Sequence, residues 1–272
     1  MTSTVYDFLG HLDGIAPFTL AESWDNCGLQ AGDADGPVTR VMVALDVTMD
    51  VMNAALKWGA DLVLTHHPLM IKPLARLNFN KMPGSAIAMA ATHQIAIVSL
   101  HTNLDKARGG LNDRFAAILG LENLSCLQPS SHKDMSDDSL EGLGRVGNLS
   151  RVMTLEALAE RVKSVFKIPH VRMVGDLNMM VKTVAVCTGS GESLLNDVFS
   201  SGAQAYITGD MKYHGARDIE MSGMGGIDVG HFASEHIAID LLVEKVKALS
   251  VQEHLGLEVK GYIGETDPFV VK

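Results

Sequence analysis

Apolar residues fall in short runs separated by segments of helical spacing, the pattern of alternating strands and helices. Val41-Met42-Val43-Ala44-Leu45-Asp46 reads as a strand. Residues 48–58 read as a helix: Thr48 suits its N-cap, Asp50 its first turn, and Gly59 its stop. Residues 61–65 form the next strand, which completes a β-α-β unit with parallel strands and a right-handed crossover. A helix over 85–93, a strand over 95–100 and a helix over 110–119 follow. Upstream, Val5, Phe8, Leu9, Leu12 and Ile15 predict a short amphipathic helix within 4–16. Residues 20–29 are turn-rich and read as a loop pinned by Trp24; a functional reading puts Asp25 or Asn26 at the rim of a site. Pro68, Pro73 and Pro83 mark a loop over 68–83. Residues 125–150 are polar, then glycine-rich, and read as a junction or a loop carrying an edge strand. Helix signals return over 154–166, a strand is expected over 170–174, and a long helix over 235–248.

This pattern repeats within the chain. Val38-Thr39-Arg40-Val41-Met42-Val43 aligns with Val181-Lys182-Thr183-Val184-Ala185-Val186 at an offset of 143. Without a gap, Gly59-Ala60 falls on Gly202-Ala203, and Leu64-Thr65-His66-His67 on Ile207-Thr208-Gly209-Asp210. At an offset of 130, Ile97-Val98-Ser99-Leu100-His101 falls on Ile227-Asp228-Val229-Gly230-His231. In both copies a carboxylate, Asp105 or Glu235, follows four residues after the histidine. The expected fold is α/β: two related lobes about a pseudo-twofold axis, with a metal site at the carboxyl ends of the strands between them. The expected division is 1–124 for the first lobe, 125–150 for the junction and 151–272 for the second lobe.

Composition narrows the function. With 272 residues and 47% apolar content, the chain can build a large core. A net charge of −10 and the lack of a basic stripe disfavour nucleic acid as a partner. Cys27, Cys126 and Cys187 are odd in number and far apart, so neither a disulfide framework nor a cysteine-rich zinc site is indicated. No signal peptide and no apolar run of membrane-spanning length is visible, so a cytoplasmic protein is expected.

The candidate chemistry sits at the strand ends. Thr65-His66-His67-Pro68 closes one strand, and His101 and His231 close two others. With Asp105 and Glu235 they make four imidazoles and two carboxylates. That is too many ligands for one tetrahedral catalytic zinc, and it suits two divalent ions about 3.5–4 Å apart. Such a pair activates water and favours an anionic substrate, so the reaction class is hydrolysis. Histidine with carboxylate admits zinc, iron, manganese or nickel. His101 and His214 are the candidate proton carriers. Gly189-Ser190-Gly191, between a strand and a helix, can cradle a phosphate or simply make a tight turn.

Five segments stand in a familiar order: Ala21-Glu22-x-Trp24-Asp25-Asn26-x-Gly28-Leu29, Thr65-His66-His67-Pro68-Leu69, Ser99-Leu100-His101-Thr102-Asn103-Leu104-Asp105, Thr208-Gly209-Asp210-x2-Tyr213-His214 and Gly230-His231-x3-Glu235. The chain resembles the GTP cyclohydrolase I type 2 homologue family, also described as Ngg-interacting-factor-like dinuclear metal proteins. The resemblance implies two metal ions per chain with His66, His67, Asp105, His231 and Glu235 as ligands, Glu235 as the bridge, and His101 beside them. It also implies a toroidal homohexamer, in a short form lacking the domain that some relatives insert between the lobes. The expected function is a dinuclear metal-dependent hydrolase of a small nucleotide-like or phosphorylated compound. A non-catalytic metal-binding scaffold or regulatory hexamer is the alternative.

Overall fold

The computed structural model describes residues 3–130 and 140–271. Along the chain the strands are β1 (Ser3–Thr4), β2 (Gly28–Ala31), β3 (Pro37–Val38), β4 (Arg40–Ala44), β5 (Leu62–Thr65), β6 (Ala96–Ser99), β7 (Leu121–Pro129), β8 (Gly142–Thr154), β9 (Arg172–Val174), β10 (Met180–Ser190), β11 (Ala205–Gly209), β12 (Gly225–Asp228) and β13 (Glu258–Gly261). The α-helices are α1 (Val5–Ile15), α2 (Met49–Trp58), α3 (Gly84–His93), α4 (Thr102–Lys106), α5 (Leu111–Ile118), α6 (Leu155–Phe166), α7 (Leu195–Ser200), α8 (Tyr213–Met221), α9 (His231–Glu235) and α10 (Ile237–Gln252). No helix among the described residues is long and apolar enough to cross a membrane.

The chain forms two compact units, Met1–Leu104 with Ala238–Thr266, and Asp105–Ile237 with Asp267–Lys272. The first holds a sheet in the order β13-β4-β5-β6-β2. Its strands β13, β4, β5 and β6 are parallel, and β2 closes the edge antiparallel to β6. The central strands are buried on both faces, as parallel strands covered by helices must be. One core cluster joins Met42, Val63 and Ile97 of the sheet to Val51, Met52 and Ala55 of α2 and to Ala86 and Ala90 of α3. Helix α2 begins where Thr48 caps it, its side chain accepting from the Val51 N–H, and ends at Gly59 in the left-handed region.

The second unit holds the order β7-β8-β10-β11-β12-β9. Here β10, β11 and β12 are parallel, β8 lies antiparallel to β10, and β9 lies antiparallel to β12. The sequence repeat is therefore a structural one: β4-α2-β5 and β6 recur as β10-α7-β11 and β12. In each unit the third parallel strand carries an antiparallel edge strand, β2 or β9. Residues 125–150 hold the end of β7 and most of β8, while the polar stretch 131–139, with His132, lies outside the described residues. The single helix expected over 235–248 is two, α9 and α10, meeting at His236.

Candidate metal centre

In the first unit the site is built at the carboxyl ends of β5 and β6. Buried Thr65 ends β5, and its hydroxyl donates to the His67 carbonyl at 2.7 Å, which fixes the turn carrying both histidines. The backbone N–H of His67 donates to the Leu45 carbonyl at 2.9 Å, so the pair stays registered to the end of β4. His101 leaves the end of β6. The three rings converge: centroids of His66 and His67 are 5.1 Å apart, His66 and His101 5.3 Å, and His67 and His101 5.6 Å.

Each imidazole is held through Nδ1 by an oxygen. His66 Nδ1 donates to the Leu100 carbonyl at 2.9 Å. His67 Nδ1 contacts Asp46 Oδ1 at 2.8 Å, and His101 Nδ1 contacts Asp25 Oδ1 at 2.9 Å. An oxygen acceptor there places the ring proton on Nδ1, so Nε2 is the nitrogen each ring offers a cation, the arrangement common to metal-binding histidines. One donor nitrogen from each of the three lies within 4.8 Å of the others. The donor set thus fits a divalent transition metal.

The supporting carboxylates are themselves anchored. Burial opposes charge on Asp25, but hydrogen bonds from His101 and Thr102 overcome it and hold that carboxyl well below its ordinary value. The backbone N–H groups of Leu45 and Asp46 donate to Glu265, each at 2.8 Å, so the segment after β13 fixes the strand end that bears Asp46. Cys27 lies beside Asp25, its thiol within 3.1 Å of Asp25 Oδ2 and of Asn103 Oδ1. Burial pushes that thiol up to about 12, and the neighbouring Asp25 charge adds to the shift, so it is a neutral hydrogen-bond donor and not a nucleophile.

The second unit builds its site at the ends of β10, β11 and β12. His231 opens α9; its Nδ1 meets Asp210 at 2.7 Å and its Nε2 meets Glu235 at 2.7 Å. The Glu235 carboxylate, with Asp210 behind it, raises the His231 pKa to about 9 against the opposing effect of burial. Gly209-Asp210 stands where the first unit has His66-His67. A Cβ at Gly209 would lie 2.9 Å from the Gly189 carbonyl, so the crowded strand ends leave no room for a second histidine. Asp210 sits at φ +50, a region that aspartate tolerates better than most residues. Buried Asp228 accepts from the Met211 N–H at 3.0 Å and the Gly230 N–H at 2.8 Å, which sets the backbone beside both Asp210 and His231.

Asp105 and Glu235 are both buried in this unit. Asp105 on α4 is positioned through Asn112 and Thr188. Asn112 Nδ2 donates to the Asp105 carbonyl at 3.0 Å, its Oδ1 accepts from the Thr188 N–H at 3.1 Å, and the Thr188 hydroxyl reaches Asp105 Oδ1 at 3.4 Å. Burial, then the Asp105 and Glu235 charges, push the Cys187 thiol far up and keep it neutral. The Gly189-Ser190-Gly191 turn has its own explanation. The Gly189 N–H donates to Ser234 Oγ at 2.9 Å and the Gly191 N–H to Thr208 Oγ1 at 3.1 Å, so both groups are engaged within the fold. A Cβ on Gly189, at φ +59, would sit 2.1 Å from Glu235 Oε1. Glycine is there so that the Glu235 carboxylate can lie against the end of β10. His214 is exposed in the first turn of α8, its ring 5.4 Å from that of Tyr213.

Histidine and carboxylate side chains grouped at the ends of parallel strands in two repeated units define an α/β protein whose donor groups could hold a metal ion. The family profile of Duf34/NIF3 (NGG1p interacting factor 3) matches residues 3–268, and the chain belongs to that family. It is 35% identical to a Clostridium perfringens protein named GTP cyclohydrolase 1 type 2 homolog, over 97% of both chains. A Clostridium acetobutylicum protein of the same name is 32% identical over the full length of both. The crystal structure of Staphylococcus aureus protein SA1388 superposes with a TM-score of 0.92 at 31% identity, covering 99% of each chain. Alignment with a Staphylococcus aureus relative, 28% identical, runs over 367 positions, so that relative holds chain that these 272 residues lack. This chain is the short form.

Proposed function

We propose that the protein is a dinuclear metal-dependent hydrolase acting on a small nucleotide-like or phosphorylated substrate. The observation that carries this reading is the set of three imidazoles in the first unit, each locked through Nδ1 and offering Nε2 to a cation. His66, His67, Asp105, His231 and Glu235 are the proposed ligands, with Glu235 the proposed bridge. The His231–Glu235 contact supports this, because a pair that shares a proton is one that a divalent cation readily takes over. Two such ions would supply Lewis acidity and an activated water.

The chain's own residues do the rest. Asp46, Asp25 and Asp210 orient the imidazoles of His67, His101 and His231. Asn112 and Thr188 set the Asp105 carboxylate, and Gly189 admits that of Glu235. His101 and His214 are the proposed proton carriers, His101 with its Nδ1 proton fixed by Asp25. Assembly as a homohexamer is proposed on family likeness.

The test is metal-reconstituted protein screened against nucleoside triphosphates and phosphomonoesters, beside Glu235→Ala. The proposal expects turnover that Glu235→Ala abolishes while the assembly, followed by light scattering, stays intact. A Glu235→Ala protein that loses assembly, from a wild type without turnover on either class, supports a metal-binding scaffold instead.

A further inference from the structure

We infer that Trp24 is the platform on which a planar heteroaromatic ring of the substrate stacks. The inference rests on the hydrolase reading and narrows its substrate class from phosphorylated compounds in general to those bearing such a ring.

Trp24 does not pin its loop. Its surface is 58% exposed, although it is one of two tryptophans in the chain and sits in a segment fixed on both sides. The fixing is done by its neighbours. The Glu22 N–H donates to Thr102 Oγ1 at 2.9 Å. The buried Asp25 side chain accepts from the Thr102 N–H at 3.0 Å and meets His101 Nδ1 at 2.9 Å. Asn26 Nδ2 donates to the Met70 carbonyl at 2.6 Å and to Gln30 Oε1 at 3.1 Å. A large apolar ring held out into solvent by a rigid backbone loses little freedom when a ligand covers it. Left uncovered, it exposes apolar surface to water for no gain in folding.

Its place gives the ring a purpose. The indole stands nearly perpendicular to the His101 imidazole, at 76° with centroids 6.1 Å apart, beside the imidazole cluster and not stacked on it. The Asn26–Met70 bond ties this segment to the loop that follows His67-Pro68, whose Ile71, Leu74, Leu77 and Phe79 are also exposed. An exposed indole beside the His101 imidazole, whose Nε2 is left to a ligand, suits a flat ring that is apolar on its face and polar at its edge. A nucleobase has that character, and aromatic stacking accepts any base because each presents a π-face.

The experiment uses metal-loaded full-length protein with Trp58→Phe, which leaves Trp24 the only tryptophan. It is titrated with guanosine monophosphate and with ribose 5-phosphate, which lacks the ring. The expected result is quenching of Trp24 emission by the nucleotide alone. By calorimetry on the otherwise native protein, Trp24→Ala is expected to weaken nucleotide binding by about tenfold or more, the scale of base stacking, and Trp24→Phe to retain most of it. Neither change should alter metal content or binding of ribose 5-phosphate. Metal-loaded protein whose indole does not respond to the nucleotide, or whose Trp24→Ala variant binds both ligands equally less well, overturns the inference. So does emission that shifts to the blue with protein concentration alone, because the indole is then covered by a second copy. Failure to bind metal sinks the hydrolase reading; full metal content with a silent indole sinks only the stacking role.

Discussion

Gly189→Ala tests the placement of Glu235 without touching a proposed ligand. The added Cβ would sit 2.1 Å from Glu235 Oε1 and 3.1 Å from its carboxyl carbon, where ordinary contact begins near 3.4 Å. The carboxylate must therefore withdraw by more than about 1 Å, against a tolerance of roughly 0.2 Å for a metal ligand. The backbone cannot yield easily, because the Gly189 N–H is bonded to Ser234, the residue next to Glu235. Alanine at φ +59 adds about 1–2 kcal/mol of left-handed strain. Gly202 is the control: its φ is +76, and a Cβ there meets nothing within 4 Å. Both variants should therefore melt a few degrees below wild type. Only Gly189→Ala should weaken metal binding, by about 10–100-fold, measured by competition with a chromogenic chelator. Equal metal affinity in the two variants would refute the reasoning.

Other outcomes follow from the same geometry. Asp46→Ala removes the oxygen that holds the proposed ligand His67 and should lower metal affinity about 10–100-fold in the same chelator competition, with the fold retained by circular dichroism. Asp25 is ionised more readily in the folded protein, so it stabilises the fold above its ordinary carboxyl value and that contribution is lost as pH falls below about 4. Urea midpoints between pH 3 and 6 should fall less steeply towards acid in Asp25→Asn than in wild type. Fully buried Arg145 pairs with Asp113 and donates to the carbonyls of Leu140, Gly142 and Gly144; Arg145→Met should cost about 3–5 kcal/mol in urea unfolding. Burial keeps the Cys27 and Cys187 thiols protonated, so at pH 8 a disulfide reagent should leave both unmodified in the native protein and react with all three cysteines in denaturant.

The parallel core was legible because its strands are unbroken apolar runs and its helices carry their own stop signals, as Thr48 and Gly59 show. The repeat made the second copy legible from the first. The antiparallel additions were not. Strand β7 buries only Leu121 and Leu127 and shows Glu122, Asn123 and Gln128 to solvent, so it has no alternating signature. The glycines of β8 resemble turn residues, yet they serve close strand contact: a Cβ on Gly142 would meet the Gln128 carbonyl at 2.2 Å, and one on Gly147 would meet Leu124 at 2.6 Å. Strand ends ending in histidine pointed to the imidazoles. Asp25 was legible only as a residue at the rim of a site and Asp210 only as the counterpart of His67; their pairing with His101 and His231 was not, because a hydrogen bond between residues far apart in the chain leaves no local pattern. Asp46, read as the last residue of a strand, lies just past the end of β4 and gave no sign of its bond to His67.

The most direct test of the account is metal content by elemental analysis of protein purified without added metal, beside the His66→Ala, His67→Ala double variant and Glu235→Ala. The account predicts two divalent ions per chain in the wild type and a loss in both variants, with circular dichroism unchanged. Wild-type protein that holds no metal and takes none up on titration with zinc, iron, manganese or nickel would contradict it.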